Sequence, residues 1–316
     1  MTGTAALRSA AVIGTGVIGA GWVVTLLAHR VPVTAYDPAA GAAERLAAAV
    51  RASWPAMRLL GFAGEPDLGL LTVVDDLRAA VRDADLVQEN GPEDEALKRD
   101  LVATLDAAAP AGAIIASSSS GLPATALQAG CAHHPQRVLV GHPFHPVHVI
   151  PLVEVVGGDR TAPAAVARAM DVYTRLGKRP IHVRHEVPGH VANRLQAALW
   201  REAYSLVERG IATVADVDAA ITNGPGLRWS VLGPFVNQHL SGGAGGLAHT
   251  LAHLGPPMVR WWQDLATPTL TAELAAALVE GVRAELGDRA GPELAEARDR
   301  LIVGLLAAKA HEDALP

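Results

Sequence analysis

An apolar run at Ala10–Ile13 ends in Gly14-Thr15-Gly16-Val17-Ile18-Gly19, and a helical pattern follows. A second apolar run, Val31-Pro32-Val33-Thr34-Ala35-Tyr36, then ends in Asp37, eighteen residues after Gly19. Strand, glycine turn, helix and strand with an acidic tip is the order that a dinucleotide-binding βαβ unit requires. Gly14 permits the tight turn, Gly16 lets main-chain amides approach a pyrophosphate, and Gly19 lets the helix pack on the sheet. Val17 and Ile18 begin that helix, so their amides are among the unpaired donors that suit an anion. Asp37 is placed to accept hydrogen bonds from a ribose diol and to repel a 2′-phosphate. No arginine follows it in Pro38-Ala39-Ala40, so the expected cofactor is NAD rather than NADP. A glycine-rich turn with no ligand is the competing reading, and it leaves Asp37 unexplained.

Other function classes are narrowed by bulk properties. A chain of 316 residues, half of them apolar, can bury a large core and suits two domains better than one. The formal charge of −6, with 26 basic residues and no basic run, gives no electrostatic reason to bind nucleic acid. Cys131 is the single cysteine, which rules out an internal disulfide and fits a reducing compartment. The uncharged stretch 9–28 has the length of a membrane span or a signal segment, but its glycines fall at fingerprint positions and only Arg8 precedes it. A soluble cytoplasmic protein with no membrane partner is expected.

Past Asp37 the pattern alternates. Residues 42–60 read as a helix, 70–74 as a strand, 76–81 as a short helix, 86–88 as a strand and 93–108 as a helix. A buried strand at 113–116 runs into Ser117-Ser118-Ser119-Ser120; strands at 137–140 and 152–156, a helix at 164–176 and a strand at 180–183 follow. This alternation predicts an α/β fold, an N-terminal Rossmann-like doubly wound sheet that is mostly parallel. The texture changes at Glu186-Val187-Pro188-Gly189. Beyond it Val191, Leu195, Ala198, Leu199, Ala203, Leu206 and Val207 recur at helical period until Gly210, and Thr213 with Asp216 resembles a helix start. No strand pattern returns. The expected division is 1–187 as the NAD-binding domain and 188–316 as an all-helical domain, with loops at Asn223-Gly224-Pro225-Gly226 and at the glycine-rich 241–246.

Ligands on such a sheet sit beyond the carboxyl ends of the strands, so polar residues there are the candidates for chemistry. Ser120 ends the serine run, Gly141-His142-Pro143-Phe144-His145-Pro146 follows a strand, and Glu154 interrupts the apolar Leu152-Val153-x-Val155-Val156. A carboxylate among apolar neighbours is costly to bury alone, and a histidine partner removes that cost. The pair also serves alcohol oxidation: an imidazole takes the hydroxyl proton as hydride leaves carbon, and a carboxylate orients the ring and stabilises the imidazolium. Taken singly, Glu154 also fits an edge strand facing solvent and His142 a turn. A metal at His142, His145 and His148 is disfavoured, because Pro143 and Pro146 preclude a helix that would gather the rings and no other ligand stands at suitable spacing. Asn193 lies in the first turns of the helix that opens the second domain.

In order along the chain stand Ser120, then His142-Pro143-Phe144-His145-Pro146, then Pro151-Leu152-Val153-Glu154, then Pro188-Gly189-His190-Val191-Ala192-Asn193-Arg194-Leu195. Together with the Gly14 fingerprint, this resembles the L-3-hydroxyacyl-CoA dehydrogenase superfamily, up to about residue 265. The resemblance implies an NAD-dependent dehydrogenase acting on CH–OH. It implies His142 as general base, Glu154 as its paired carboxylate, and Ser120 and Asn193 beside the substrate oxygen. It also places Glu93 and Lys98 beside the NAD ribose and nicotinamide, and it implies a homodimer paired through the helical domain. Two positions depart from the family pattern: His145 replaces its Asn, and His190 its Phe. Lysines are scarce, with Lys98, Lys178 and Lys309 the only three and none in 42–70, where CoA-binding members carry them. The segments 198–203, 226–229 and 232–235 are similar instead to the CoA-independent branch acting on carnitine and L-gulonate, and the glycine loop and Trp262 lean towards carnitine. Arg228 and Trp229 offer a guanidinium for a carboxylate and an aromatic face for a quaternary ammonium. L-gulonate, a 3-hydroxyacyl-CoA and a non-catalytic, crystallin-like role are the alternatives.

Overall fold

Burial on both faces explains why the first strand, β1 (Ala10–Ile13), reads as an unbroken apolar run. Ala10 and Val12 join one core cluster and Ala11 and Ile13 the other, following the two-residue period of a strand. The computed structural model describes residues 7–289 and 291–315. Its chain separates into two compact units, 1–194 and 195–316.

The first unit contains α1 (Val17–Ala28), β2 (Val33–Tyr36), α2 (Ala42–Leu59), β3 (Leu71–Val74), α3 (Leu77–Val81), β4 (Leu86–Glu89) and α4 (Glu95–Ala108). It continues through β5 (Ile114–Ser117), α5 (Ala124–Gln128), β6 (Val138–Pro143), β7 (Leu152–Gly157), α6 (Pro163–Arg175) and β8 (Arg179–Val183). The eight strands form one sheet in the order β3-β2-β1-β4-β5-β6-β7-β8. Every neighbouring pair is parallel except β6 with β7. The strand order reverses between β1 and β4, the switch point where such sheets open a ligand crevice. Helices cover both faces. Trp22, Leu26, Leu46, Val50, Met57 and Tyr173 fill one side, and Val81, Val102, Leu105, Ile115 and Leu127 the other. Cys131 belongs to the second cluster; burial, and after it the charge of Asp106, raises its thiol to about 11 and makes it inert.

Two details differ from the pattern read in the sequence. The short helix α5 lies in a stretch without helical period, because five residues are too few to display one. β6 runs on through His142 to Pro143, so the histidine stands within a strand. It pairs on this side only with β7, and Pro143, which has no N–H to donate, is its last residue.

The helix α7 (Ala192–Glu208) leads into the second unit, which continues with α8 (Val214–Thr222), α9 (Pro225–Trp229), α10 (Pro234–Ser241), α11 (Gly246–Asp264), α12 (Ala272–Leu286) and α13 (Pro292–Ala310). No strand follows β8 among the described residues. Gly210, at φ +64°, ends the first of these helices. Thr213 starts α8 through a capping box: its Oγ1 accepts from Asp216 N, and the Asp216 carboxylate accepts from Thr213 N. The glycine-rich stretch 241–246 is an ordered turn, and Thr250 Oγ1 donates to Gln238 O at 2.7 Å across it. α9 begins inside the other loop signal, at Pro225, where proline's fixed φ suits a first helical turn.

Candidate active site

The glycine turn is built from contacts that only glycine permits. Gly14 has φ +82°, and a Cβ there would lie 2.8 Å from Asn90 O. At Gly19 a Cβ would meet Gly14 O at 1.9 Å, so helix and turn close on each other. Gly16 is different: a Cβ there would touch nothing within 4 Å. This open space lies over the start of α1, which has no side-chain cap and no acid in its first turn, and Val17 is 68 % exposed. Asp37 receives Thr15 N at 2.7 Å and Thr15 Oγ1 at 2.9 Å on one oxygen, and Ala39 N at 2.9 Å on the other. Burial acts to raise its pKa, but these hydrogen bonds and Arg45 outweigh it and hold the carboxyl below its ordinary range.

Ser120, His142 and Glu154 form a line. His142 and Glu154 are direct partners across the antiparallel β6–β7 ladder, which puts both side chains on one face. His142 Nδ1 is 2.9 Å from Glu154 Oε2, and Nε2 is 3.1 Å from Ser120 Oγ. Glu154 is fully buried, and its second oxygen accepts from Val191 N at 2.8 Å and Ala192 N at 3.0 Å, at the N-terminus of α7. Burial would raise this carboxyl, yet the bonds from His142, Ala192 and Val191 hold it below the ordinary range. A charged carboxylate on Nδ1 fixes the hydrogen there, so Nε2 presents its lone pair to the serine hydroxyl. That is the tautomer a proton acceptor needs.

The serine loop is held by Glu93. Its Oε1 accepts from Ser119 Oγ at 2.6 Å and from the amides of Ser120 and Gly121 at 3.0 Å each. Burial is again outweighed, by Ser119, Gly121 and Lys98 before Ser120, and the carboxyl stays low. Lys98, 1 % exposed, donates to both oxygens of Glu89 at 2.9 and 3.0 Å and lies 3.8 Å from Glu93 Oε2. It therefore supports Glu93 from beneath. Asp37, Glu93 and Glu154 all ionise more readily in the fold than in the open chain. Their stabilisation is present above the ordinary carboxylate range and is lost as pH falls through their lowered values. Denaturant midpoints are expected to be flat between about pH 5 and 8 and to drop below about pH 4.

Several participants went unread in the sequence. Glu89 ends β4 and also accepts from Ser117 Oγ at 2.5 Å, and an acid beside the apolar Leu86-Val87 was the available signal. Gln88 Nε2 donates to Ser118 Oγ at 2.8 Å and Gly141 O at 3.2 Å, while its Oε1 accepts from Tyr173 OH at 2.7 Å. Ser118 Oγ donates to Asn90 Oδ1, and Asn90 Nδ2 reaches Ile13 O. One buried network thus joins the glycine turn to the main chain just before His142. Asn193 is half-buried in the first turn of α7, and His145 is exposed. Arg228 and Trp229 lie on α9 in the second unit, both exposed.

Residues 9–187 match the 3-hydroxyacyl-CoA dehydrogenase NAD binding domain, and residues 189–281 match the 3-hydroxyacyl-CoA dehydrogenase C-terminal domain. The chain belongs to the 3-hydroxyacyl-CoA dehydrogenase family. Among its relatives, L-carnitine dehydrogenase of Streptomyces coelicolor is 51 % identical over 308 residues, covering 98 % of this chain and 96 % of that one. L-carnitine dehydrogenase of Streptomyces griseus is 51 % identical over 302 residues, covering 96 % and 90 %. The crystal structure of an NAD+-dependent 5-formyl-3-hydroxy-2-methylpyridine 4-carboxylic acid 5-dehydrogenase superposes with a TM-score of 0.83 at 32 % identity, covering 98 % of this chain and all of that one.

The protein is thus an NAD-dependent oxidoreductase acting on CH–OH. Its residues fit the cofactor: open space at Gly16, uncapped amides at the start of α1, and a charged carboxylate at the tip of β2. Asp37→Ala is expected to weaken NAD binding by about 10- to 100-fold, the worth of hydrogen bonds to a charged acceptor. Quenching of protein fluorescence on titration with NADH measures it, and unchanged affinity would remove Asp37 from the cofactor site.

Proposed function

We propose that the protein oxidises the 3-hydroxyl of a small, carnitine-like 3-hydroxy acid to the 3-oxo acid, with His142 as the base. The observation that carries this is the Ser120–His142–Glu154 line, with contacts of 3.1 and 2.9 Å, at the strand ends next to the dinucleotide turn. NAD, when bound, supplies the hydride acceptor. His142 Nε2 takes the hydroxyl proton, and the positive charge that develops on the ring is matched by Glu154. Because both oxygens of Glu154 are already hydrogen-bonded, the carboxylate needs no rearrangement as that charge appears. Ser120 and Asn193 hold the substrate oxygen. Burial of His142 and Glu154, at the inner end of the line, shields their pair from bulk water.

The names of the relatives support carnitine, as does the absence of lysine from 42–70. Arg228 and Trp229 carry the groups that a carboxylate and a quaternary ammonium call for. NADH formation from L-carnitine, L-gulonate, 3-hydroxybutyrate and 3-hydroxybutyryl-CoA, assayed side by side, tests the reading. Dominance of the thioester overturns the CoA-independent assignment. Silence with all four points to a non-catalytic binding protein.

Residues 1–187 serve as the cofactor domain and 188–316 as the substrate and dimerisation domain in this reading. In the second unit Leu274 and Val303 are the only buried apolar side chains among the described residues, while Trp200, Phe235, Leu240, Leu251, Trp261 and Trp262 are exposed. So much apolar surface calls for a partner, and a second copy of the chain supplies it. No helix among the described residues is long and apolar enough to cross a membrane, and a cytoplasmic setting suits the lone cysteine. Light scattering on the purified protein distinguishes the dimer from a monomer.

A further inference from the structure

His190 stands against the catalytic line but takes no part in the reaction described above. It follows Gly189, at φ +76°, and itself adopts φ +50°, the left-handed region that residues with a Cβ adopt uncommonly. Its ring is tilted 49° to that of His142 with centroids 5.3 Å apart, and the residue is 2 % exposed. A phenylalanine, as in the family pattern, would fill such a place without any polar atom to satisfy.

The hydrogens on this ring follow from its contacts. Nε2 lies 3.2 Å from the carbonyl oxygen of Ser119, which can only accept, so Nε2 carries the hydrogen. Burial, the leading influence, lowers the affinity for a second proton; neighbouring His142 acts the same way, against Ser119, Glu154 and Glu93. The ring is therefore neutral, and Nδ1 is a bare acceptor. It has no hydrogen-bond partner among the described residues. A buried acceptor of this kind is costly unless something that binds there brings a donor.

We propose that His190 is a specificity-determining residue: its Nδ1 accepts a hydrogen bond from a hydroxyl or amine hydrogen on a substrate carbon adjacent to the oxidised carbinol. The proposal rests on the 3-hydroxy acid reading above. Adjacency follows from the ring contact, because the reacting hydroxyl is held at His142 and the neighbouring ring is met by a group one carbon away. Carnitine has no such hydrogen, since its quaternary nitrogen bears none, whereas a polyhydroxy acid offers one on each side. Among small 3-hydroxy acids the site accordingly favours one that carries such a hydrogen beside the carbinol.

The test is kcat/KM for 2,3- and 3,4-dihydroxybutyrate against 3-hydroxybutyrate, in the wild-type enzyme and in His190→Phe. The wild type is expected to prefer at least one dihydroxy acid by about tenfold, the worth of one neutral hydrogen bond. In His190→Phe that ratio is expected to fall to about one, whatever happens to the absolute rates. Structural damage alone scales all three substrates together and leaves the ratio in place. A wild-type ratio near one, or the same ratio in both enzymes, overturns the proposal and leaves the 3-hydroxy acid reading standing. No NADH from any of the three sinks that reading and the proposal with it. Should His190→Phe not fold, the ¹⁵N resonance of His190 Nδ1 decides: it is expected to be unprotonated and to move when 3,4- or 2,3-dihydroxybutyrate is added with NADH. A resonance that moves equally with 3-hydroxybutyrate overturns the assignment.

Discussion

Replacing His142 by alanine is expected to lower kcat by roughly 10³-fold while leaving NAD affinity unchanged. Among the described residues no other imidazole is hydrogen-bonded to Ser120, and the hydroxyl proton then has only water to receive it. The variant strips Glu154 of one partner, but Val191 N and Ala192 N still occupy its other oxygen, so the fold around β7 is expected to persist. His142→Gln separates the roles, because its amide can still donate to Glu154 while providing no base. Similar losses in both variants, with residual rates rising as hydroxide does, identify proton removal as the missing step. Stopped-flow NADH formation and a parallel NADH titration supply the two readouts. Turnover within about threefold of wild type in either variant would place the base elsewhere.

How far the chain could be read before its structure was seen depended on whether a residue acts locally. The glycine turn was legible because each glycine answers a steric demand within ten residues: a positive φ at Gly14, an open approach at Gly16, a close contact at Gly19. The sheet was legible because strands buried on both faces must be apolar throughout, as β1 and β5 are. The cost of burying a lone acid suggests from sequence that His142 and Glu154 pair. That they sit opposite each other depends on the antiparallel register of β6 and β7, which twelve residues of separation do not specify. The network through Gln88, Ser118, Asn90 and Tyr173 was invisible for the same reason, since Tyr173 lies 85 residues from Gln88 and no local pattern links them. The family resemblance implies a place for Lys98 beside the cofactor. Its burial against Glu89 assigns it a supporting contact as well, and a strand-end acid nine residues earlier was its only sign.

Breaking that pair is the second large effect. Glu89→Gln is expected to destabilise the protein by about 3 kcal/mol, because the enclosed Lys98 ammonium loses its nearest counter-charge and keeps only Glu93, 3.8 Å away. Glutamine keeps the length of the side chain and one acceptor oxygen for Ser117 Oγ or Gly91 N, so lost packing contributes little to the change. Adding Lys98→Met removes the orphaned charge, and the double variant is expected to recover most of the loss, as buried pairs replaced by apolar groups of similar size commonly do. Denaturant midpoints of the two single variants and the double variant close the cycle. If Glu89→Gln lay within about 1 kcal/mol of wild type, the pair would be solvated or flexible rather than enclosed. The recovery is expected in stability and not in activity. Without Lys98, Glu93 loses the positive charge 3.8 Å from its free oxygen, and Glu93 is what holds Ser119, Ser120 and Gly121 in place opposite His142. A double variant that is as stable as wild type but slower in turnover would locate the worth of the buried lysine in the shape of the serine loop, where substrate oxygen is to be bound.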